Sequence, residues 1–214
     1  VGFGVANNEG MQFALDQGYD SVFLLNQDCR IEAQSMVKLR KEGLRHHSHV
    51  SCPVQMNWGR EGANRGFDTR YAPGWQTASG PFNVTFVNAA AWFIPVKVLH
   101  AVGGFNPVFF MYGEDRDWAR RLLKNGGGFT VLPSIECFHQ SSAQGQKMDM
   151  RAMNERIAFS FEVSAYFMEA DSHDVWRRGW LGRALRRSFQ RKQWFNTLTM
   201  VNPLAEWRVY KRIQ

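Results

Sequence analysis

The chain has 214 residues, of which 44% are hydrophobic, and this suits one mixed α/β domain with an appendage. Its three cysteines lack the spacing of a disulfide framework. This argues against a secreted, disulfide-bonded scaffold and favours a protein of the reducing cytoplasm. No apolar run reaches the roughly 18 residues that a membrane-spanning helix requires.

Hydrophobic periodicity predicts alternating helices and strands up to about residue 140. In chain order the predicted elements are a helix from 7 or 8 to 18, a strand at 21–25, a helix at 32–45, a strand at 50–56, strands at 84–87 and 90–94, a helix at 96–102, a helix containing Asp115, and two strands around Val131 and Cys137. Residues 57–81 show no periodicity. That segment predicts either a functional loop over a site or an ordered surface loop pinned by its aromatic side chains.

Polar residues follow the first predicted strand. The strand at 21–25 is short and apolar, which is typical of a buried strand of a parallel sheet, and Asn26, Gln27 and Asp28 come directly after it. A carboxylate at the C-terminal end of such a strand faces the crevice where α/β proteins bind ligands. The alternative is that Asn26 and Asp28 only form the turn before the next helix, and for this segment alone that alternative is favoured.

Three acids, Glu114, Asp115 and Asp117, follow an aromatic, glycine-containing loop and precede a helical pattern. They therefore crowd a helix N-terminus, whose partial positive charge keeps carboxylates ionised. An isolated pair of acids at such a place more often caps the helix than catalyses a reaction. Asp28 and, after the last predicted strand, His139 accompany these acids in the sequence. Their presence shifts the interpretation of the acids from helix capping towards a catalytic base.

Four short blocks in order contain these residues: 2–10 (GFGVANNEG), 24–28 (LLNQD), 88–94 (NAAAWFI) with 102–106 (VGGFN), and 110–118 (FMYGEDRDW) through His139. In this order the blocks resemble family 2 glycosyltransferases of the GT-A fold, in particular the branch that includes bacterial rhamnosyltransferases of cell-surface polysaccharide synthesis. The resemblance runs from Gly2 to about Ser142. It implies a GT-A (Rossmann-like) α/β fold with a mixed, mostly parallel sheet flanked by helices, a catalytic region at 1–147 and a helical extension at 148–214.

The activity implied by the resemblance is an inverting, metal-dependent transfer of rhamnose or a similar sugar from dTDP-rhamnose or a UDP-sugar to a saccharide or lipid-linked acceptor. Asp28 takes the place of the last acid of the family's DxD-like motif, which holds the divalent cation on the donor diphosphate, and His139 takes that of the second protein ligand. A carboxylate and an imidazole suit Mg²⁺ or Mn²⁺. Further donor-binding residues expected from the resemblance are Asn7, Asn8 and Asn26.

Asp115 takes the place of the family's general base, with Glu114 and Asp117 positioning it. Such a base removes the proton of the acceptor hydroxyl while that oxygen attacks the anomeric carbon. The acceptor-binding residues expected from the resemblance are Trp75, Asn88, Tyr112 and Asp117. Other residues of the 57–81 loop expected to stack on sugars or meet phosphate are Trp58, Arg60, Arg65 and Tyr71.

Several positions depart from the family pattern. Gln27 stands where proline is usual, Cys29 where threonine is usual and Asn88 where a small residue is usual. None of these changes removes an expected metal ligand or base. Cys29 lies beside the expected metal site, which predicts that the protein is sensitive to oxidation or to soft metals. The favoured alternative is that Cys29 is a small side chain that only fills buried space. The chain also opens inside a family motif, so the first strand, first helix and second strand of the nucleotide-binding half are expected to be missing.

The C-terminal part has a different composition. Residues 148–168 carry apolar side chains at helical spacing, which predicts an amphipathic helix. The tail at 177–214 holds ten Lys or Arg and one acid, interleaved with aromatic residues. This pattern predicts a basic amphipathic helix in peripheral contact with anionic lipid on the inner face of the cytoplasmic membrane. A solvated helix whose aromatics pack on protein is an equal alternative.

Two other classes of protein compete with a transferase. A nucleic-acid-binding module would explain the basic tail, but no nucleic-acid-binding motif appears, so no nucleic-acid partner is expected. A non-catalytic saccharide-binding or scaffold protein would keep the acceptor loop and lose the metal site. The presence of Asp28, Asp115 and His139 together argues against that loss.

Overall fold

The computed structural model describes residues 2–59, 62–64, 66–109 and 112–140. In this part of the chain the strands and α-helices are α1 (Phe3–Asp16), β1 (Ser21–Leu25), β2 (Cys29–Ile31), α2 (Ala33–Gly43), β3 (His49–Asn57), β4 (Phe82–Val84), β5 (Ala91–Pro95), α3 (Val96–Val102), α4 (Glu114–Lys124) and β6 (Gly128–His139). Two short helical turns, Phe67–Tyr71 and Trp75–Thr77, lie between β3 and β4. The predicted bounds of β1 and α3 are confirmed. The helix predicted at 148–168, the basic tail, Arg60 and Arg65 lie outside the described residues.

The strands form one mixed sheet in the order β1-β5-β3-β6-β2, with β4 also paired to β6. Pairing is parallel between β3 and β6 and antiparallel in the other pairs of described strands. Because β5 lies antiparallel between β1 and β3, the strands β1, β3 and β6 all run in one direction. Their C-terminal ends therefore meet at the same edge of the sheet.

The mixed α/β class is confirmed, with one correction to the expected pairing. Only the β3/β6 pair is parallel among the described strands, whereas a mostly parallel sheet was expected. A short apolar run identifies a buried strand but carries no information about its direction. β1 shows this directly, since it pairs only with the antiparallel strand β5 in the described sheet.

The start of α1 and the position of β4 also differ from the sequence prediction. Helix α1 begins at Phe3 instead of residue 7 or 8, because Gly4 and Val5 already face the core and the Gly2 carbonyl accepts the Ala6 N–H at 3.1 Å. An added Cβ at Gly4 would lie 2.9 Å from the Phe105 Cβ, so this close approach requires glycine. β4 lies at Phe82–Val84 instead of 84–87, and its pairing partner is the first half of β6.

The two strands predicted around Val131 and Cys137 are one long strand, β6, with an irregularity. Pro53 of β3 pairs with Leu132, and the next residue, Val54, pairs with Glu136. The bulged segment contains Pro133, which cannot donate a backbone hydrogen bond to the ladder. This local break in the strand pattern explains why the sequence suggests two strands.

An aromatic cluster fixes α4 against the sheet. Trp92 of β5 lies with its ring centroid 5.3 Å from that of Trp118 of α4 and 6.2 Å from that of Phe105. Both indoles are buried and their N–H groups donate to the carbonyls of Val87 and Gly103. The first turn of α4, which carries the acidic residues, is thereby held in place.

No helix among the described residues is long and apolar enough to cross a membrane.

Candidate metal and active site

The polar residues singled out in the sequence collect at the edge where β1, β3 and β6 end. Asn26 follows β1 and its N–H donates to the Ala90 carbonyl at 2.9 Å. Asn57, the last residue of β3, pairs in register with His139, the last residue of β6. Loops beyond the carboxyl ends of such strands are the usual ligand-binding place in α/β proteins.

Asp28 and His139 lie together at this edge, which agrees with the proximity that the family resemblance implied. The Nε2 atom of His139 is 3.3 Å from the Oδ2 atom of Asp28. The Asp28 side chain is 45% exposed and the His139 side chain 15%, so the pair is open to solvent through the carboxylate. The backbone of Asp28 is fixed in place, because its carbonyl accepts the Gln140 N–H at 2.8 Å.

Cys29 completes a cluster of three ligating side chains. The carboxylate of Asp28, the thiol of Cys29 and the imidazole of His139 each offer one atom, and these atoms all lie within 4.8 Å of one another. Cys29 and His139 are cross-strand partners of β2 and β6, which fixes their spacing through the sheet. The Nδ1 atom of His139 is buried without a hydrogen-bond partner among the described residues.

The donor set fits a divalent cation. A carboxylate and an imidazole are ordinary ligands of Mn²⁺, and the exposure of Asp28 leaves room for phosphate oxygens and water. A cation at this cluster would keep open coordination positions, whereas a closed structural site would enclose the ion with protein ligands.

A second thiol, Cys137, contacts Cys29 across the strand pair. The hydrogen bond between the two side chains is the largest cause that raises the pKa of Cys29 above the ordinary thiol range. Burial is the next cause, and the charge of Asp28 adds to the effect. The same hydrogen bond lowers the pKa of Cys137. Cys29 is consequently a protonated thiol when no cation is bound, which makes it a weak nucleophile.

Asp115 lies in the first turn of α4, close to the loop before β5. Its carboxylate accepts hydrogen bonds from the backbone N–H groups of Arg116, at 2.8 Å, and Ala89. Burial raises the pKa of Asp115, and these two hydrogen bonds partly offset that rise. Since Ala90, the neighbour of Ala89, binds the backbone of Asn26, one loop connects Asp115 to the end of β1.

Glu114, next to Asp115, is almost fully buried, with 6% of its surface exposed. Burial raises the pKa of Glu114 to about 7, and the neighbouring charge of Asp115 acts in the same direction. Its Oε2 atom has no hydrogen-bond partner among the described residues. Glu114 is thus a carboxyl that binds a proton near neutral pH, beside the expected base.

The side chain of Asp117 does not lie at the surface, where the expected contact with an acceptor would require it. It is fully buried, and its carboxylate is 3.1 Å from the Nε atom of Arg121 one turn later. Arg121 in turn donates to the carbonyls of Val102, at 2.6 Å, and Gly104, at 2.7 Å. Asp117 is therefore a structural residue that fastens α4 to the end of α3, and the expectation of a direct acceptor contact is wrong.

Asn8 is also structural. Its side-chain amide donates to the Phe105 carbonyl and accepts the Phe105 N–H, at 2.8 and 2.7 Å, and 1% of the residue is exposed. Both polar ends of the amide are occupied, so the expected donor contact through Asn8 is wrong. Asn7 is half-buried and donates to the Phe3 carbonyl within α1. A donor contact by Asn7 or by Asn26 stays a prediction.

The expected acceptor-binding residues lie in different surroundings. Tyr112 is 49% exposed and is the one non-glycine residue of the described chain with a left-handed backbone, at φ 63°. Asn88 is half-buried, and its Oδ1 accepts from Gln55 at 2.8 Å. Trp75 is half-buried, with an Nε1 atom that is unpartnered among the described residues. In the loop at 57–81, Trp58 is exposed, and Tyr71 packs on Phe86.

Two polar residues of this region were missed at the level of sequence. Gln55 is buried in β3 and holds Asn88, and Asn64 donates to the His139 carbonyl at 3.4 Å. Gln55 carried a usable signal, because a lone amide in an apolar strand needs a partner when buried. Asn64 carried none, since it lies in an aperiodic loop.

Comparison with known proteins finds likeness only at the level of structure. No protein-family model and no curated protein matches the chain. Among solved structures the chain is similar to the crystal structure of GalNAc-T7 with UDP, GalNAc and Mn²⁺, with a TM-score of 0.55 and 14% identity. The match covers 76% of this chain and 34% of that chain. A likeness at this identity defines the fold alone, and that fold is GT-A.

Proposed function

We propose that this chain is the catalytic region of an inverting, metal-dependent glycosyltransferase that acts on a nucleotide-diphosphate sugar. The observation that carries this proposal is the grouping of Asp28, His139 and Asp115 at one edge of a GT-A sheet. Support also comes from the solved structure of similar fold, which contains UDP, GalNAc and Mn²⁺. The chain spans only part of that protein, so the activity is proposed for the region described.

The donor is a UDP-sugar or dTDP-rhamnose, bound through its diphosphate near Asp28. UDP is supported by the solved structure of similar fold, and dTDP-rhamnose by the sequence resemblance. A divalent cation held by Asp28 and His139 supplies positive charge against the leaving diphosphate when it is bound. Mg²⁺ and Mn²⁺ both suit this role.

Asp115 acts as the general base. As an acceptor hydroxyl oxygen forms its bond to the anomeric carbon, the bond from that carbon to the diphosphate oxygen breaks, and the hydroxyl proton passes to Asp115. The bond electrons leave with the nucleoside diphosphate, so one displacement inverts the anomeric centre. The N–H groups of Ala89 and Arg116 keep the carboxylate oriented during this step.

Exposed aromatic side chains near the proposed base suit a saccharide acceptor. Tyr112 immediately precedes the Gly113 cap of α4 and presents its ring to solvent. Aromatic faces stack on the apolar faces of sugar rings while polar groups bind the hydroxyls. We propose Tyr112, Asn88 and Trp75 as acceptor contacts, and a saccharide or lipid-linked acceptor of the cell surface as the substrate.

The setting proposed for this activity is bacterial envelope polysaccharide synthesis. The resemblance to the rhamnosyltransferase branch of family 2 supports this setting. The composition of the tail supports a peripheral position on the cytoplasmic face of the membrane, because basic and aromatic residues favour anionic headgroups.

The test is a comparison of donor binding with sugar transfer in an Asp115→Asn variant. We expect transfer from the active donor to fall by at least about a hundredfold, in line with loss of a general base, while Mn²⁺-dependent nucleotide binding is kept. Asp16→Asn, an exposed substitution of the same kind on α1, is the control and should leave both unchanged. Loss of binding and transfer together, with loss of folded structure, would make Asp115 a helix cap instead.

A further inference from the structure

The metal centre contains a sulfur donor that the proposed Mg²⁺ or Mn²⁺ chemistry does not use. The Sγ atom of Cys29 lies 4.0 Å from Asp28 Oδ1, and His139 Nε2 lies 3.3 Å from Asp28 Oδ2. A tetrahedral zinc ion with ordinary bond lengths separates its S and O ligands by about 3.6 Å and its N and O ligands by about 3.4 Å. One ligating atom from each of the three side chains lies within 4.8 Å of the other two, so small side-chain adjustments bring all three to one ion.

The backbone of the sheet and of its flanking loops positions these donors. Cys29 and His139 face each other as the terminal register pair of β2 and β6, and the Gln140 N–H fixes the carbonyl of Asp28. Trp58 N–H and the Asn64 amide both donate to the His139 carbonyl, at 3.2 and 3.4 Å. Donors that are already in position lose little conformational entropy when a cation binds.

The chemistry of the third donor decides which cations gain from it. Thiolate is a soft ligand that favours Zn²⁺ and its heavier analogue Cd²⁺, whereas Mg²⁺ takes oxygen ligands in a near-ideal octahedron. Mn²⁺ binds with lower affinity than Zn²⁺ to nitrogen, oxygen and sulfur sites in general. A cluster with Asp, Cys and His donors is therefore biased away from the hard cations.

We infer that Cys29 makes this centre a zinc- and cadmium-selective site, in which these ions bind through Asp28, Cys29 and His139 and displace the cation that supports catalysis. The inference rests on the proposed metal site and adds its selectivity. With the thiolate and carboxylate both bound, the ion loses positions that a diphosphate would occupy. Zinc and cadmium accordingly act as inhibitors of the proposed transferase.

The experiment is a titration of the chain with Cd²⁺, followed by the ultraviolet charge-transfer absorption of the cadmium–thiolate bond. Wild type should develop the band at one ion per chain. Cys29→Ser should lose the band and bind Cd²⁺ at least about tenfold more weakly. Mn²⁺ affinity, measured by paramagnetic resonance of the free ion, should change by less than about threefold because Asp28 and His139 remain.

Matched controls come from the other two cysteines. Cys137→Ser keeps the three donors and keeps a hydrogen-bonding group beside Cys29, and Cys52→Ser alters a fully buried thiol in β3. Both variants should keep the cadmium band. A band that persists in Cys29→Ser, or that disappears in Cys137→Ser, overturns the inference.

The outcomes also separate this inference from the proposed function. A Cys29-dependent cadmium band in a protein that transfers no sugar sustains the selective site and contradicts the transferase. In a second outcome, nucleotide binds in a Mn²⁺-dependent way while bound cadmium gives no thiolate band. That result sustains the metal site of the transferase and contradicts the role of Cys29. Failure of the wild type to bind either cation contradicts both.

Discussion

His139 Nε2 lies 3.3 Å from Asp28 Oδ2, although Asp28 follows the first strand of the chain and His139 ends the last described one. The contact exists because β2, which starts one residue after Asp28, pairs with the end of β6. Antiparallel register places Cys29 opposite His139 and so brings the preceding carboxylate to the imidazole. The candidate metal centre is thus built by strand pairing rather than by a local sequence motif.

Glu114 predicts a specific dependence of stability on pH. Its folded pKa of about 7 is above its ordinary value of 4.5, so the folded state holds the proton more tightly than the unfolded state does. The free energy of unfolding should therefore fall as pH rises from about 4.5 to 7, by roughly 3 kcal/mol from this group. Glu114→Gln should remove that fall and gain on the order of 2 kcal/mol relative to wild type at pH 8.

Urea unfolding of both proteins at pH 5 and pH 8 measures this effect. Glu9→Gln, at an exposed position of α1, is the control and should follow wild type at both values. Parallel profiles for wild type and Glu114→Gln would show that Glu114 is ionised in the folded protein at pH 5.

Asp117 should matter for stability rather than for acceptor recognition. Asp117→Ala leaves the buried guanidinium of Arg121 without its carboxylate, and breaking such a pair costs about 3–5 kcal/mol. Asp16→Ala, an exposed acid on α1, should change the free energy of unfolding by less than about 0.5 kcal/mol. Chemical denaturation measures both. A small loss in Asp117→Ala would mean that water or a rearranged side chain replaces the carboxylate.

Tyr112 should affect acceptor binding and leave donor binding unchanged. Tyr112→Gly removes an exposed ring and also relieves a left-handed backbone, so the gain in backbone freedom and the relief of strain should nearly cancel within about 1 kcal/mol of stability. Loss of an aromatic contact worth about 1 kcal/mol raises the acceptor KM roughly fivefold.

Steady-state kinetics with varied acceptor and saturating donor measures this split. Tyr19→Gly removes an exposed tyrosine outside the candidate site and should leave both KM values unchanged. An unchanged acceptor KM in Tyr112→Gly would place the acceptor elsewhere.

The sequence predicted elements whose pattern is local, and it failed where tertiary contacts decide. β1 and α3 are marked by apolar periodicity and by the turn residues at their ends, so their bounds are confirmed. Strand direction is different, because the apolar run of β1 fits either direction and only the inserted strand β5 settles it.

The site shows the same division. The resemblance to family 2 glycosyltransferases implied that Asp28 and His139 serve one metal site, and the strand pairing that brings them together is visible only in the folded chain. The same resemblance implied a donor contact for Asn8 and an acceptor contact for Asp117. Their burial depends on Phe105 and Arg121, whose contacts with them arise only in the folded chain.

A metal-dependent donor site at Asp28 and His139 is best tested by calorimetric titration of UDP and of dTDP into the chain, with Mn²⁺ and again with EDTA. We expect at least one nucleotide to bind with Mn²⁺, binding to be lost in EDTA, and affinity to fall at least about tenfold in Asp28→Asn and in His139→Ala. His100→Ala on α3 should bind like wild type. Nucleotide binding that is equal in EDTA and in both variants, or absent with Mn²⁺, would contradict a metal-dependent donor site at Asp28 and His139.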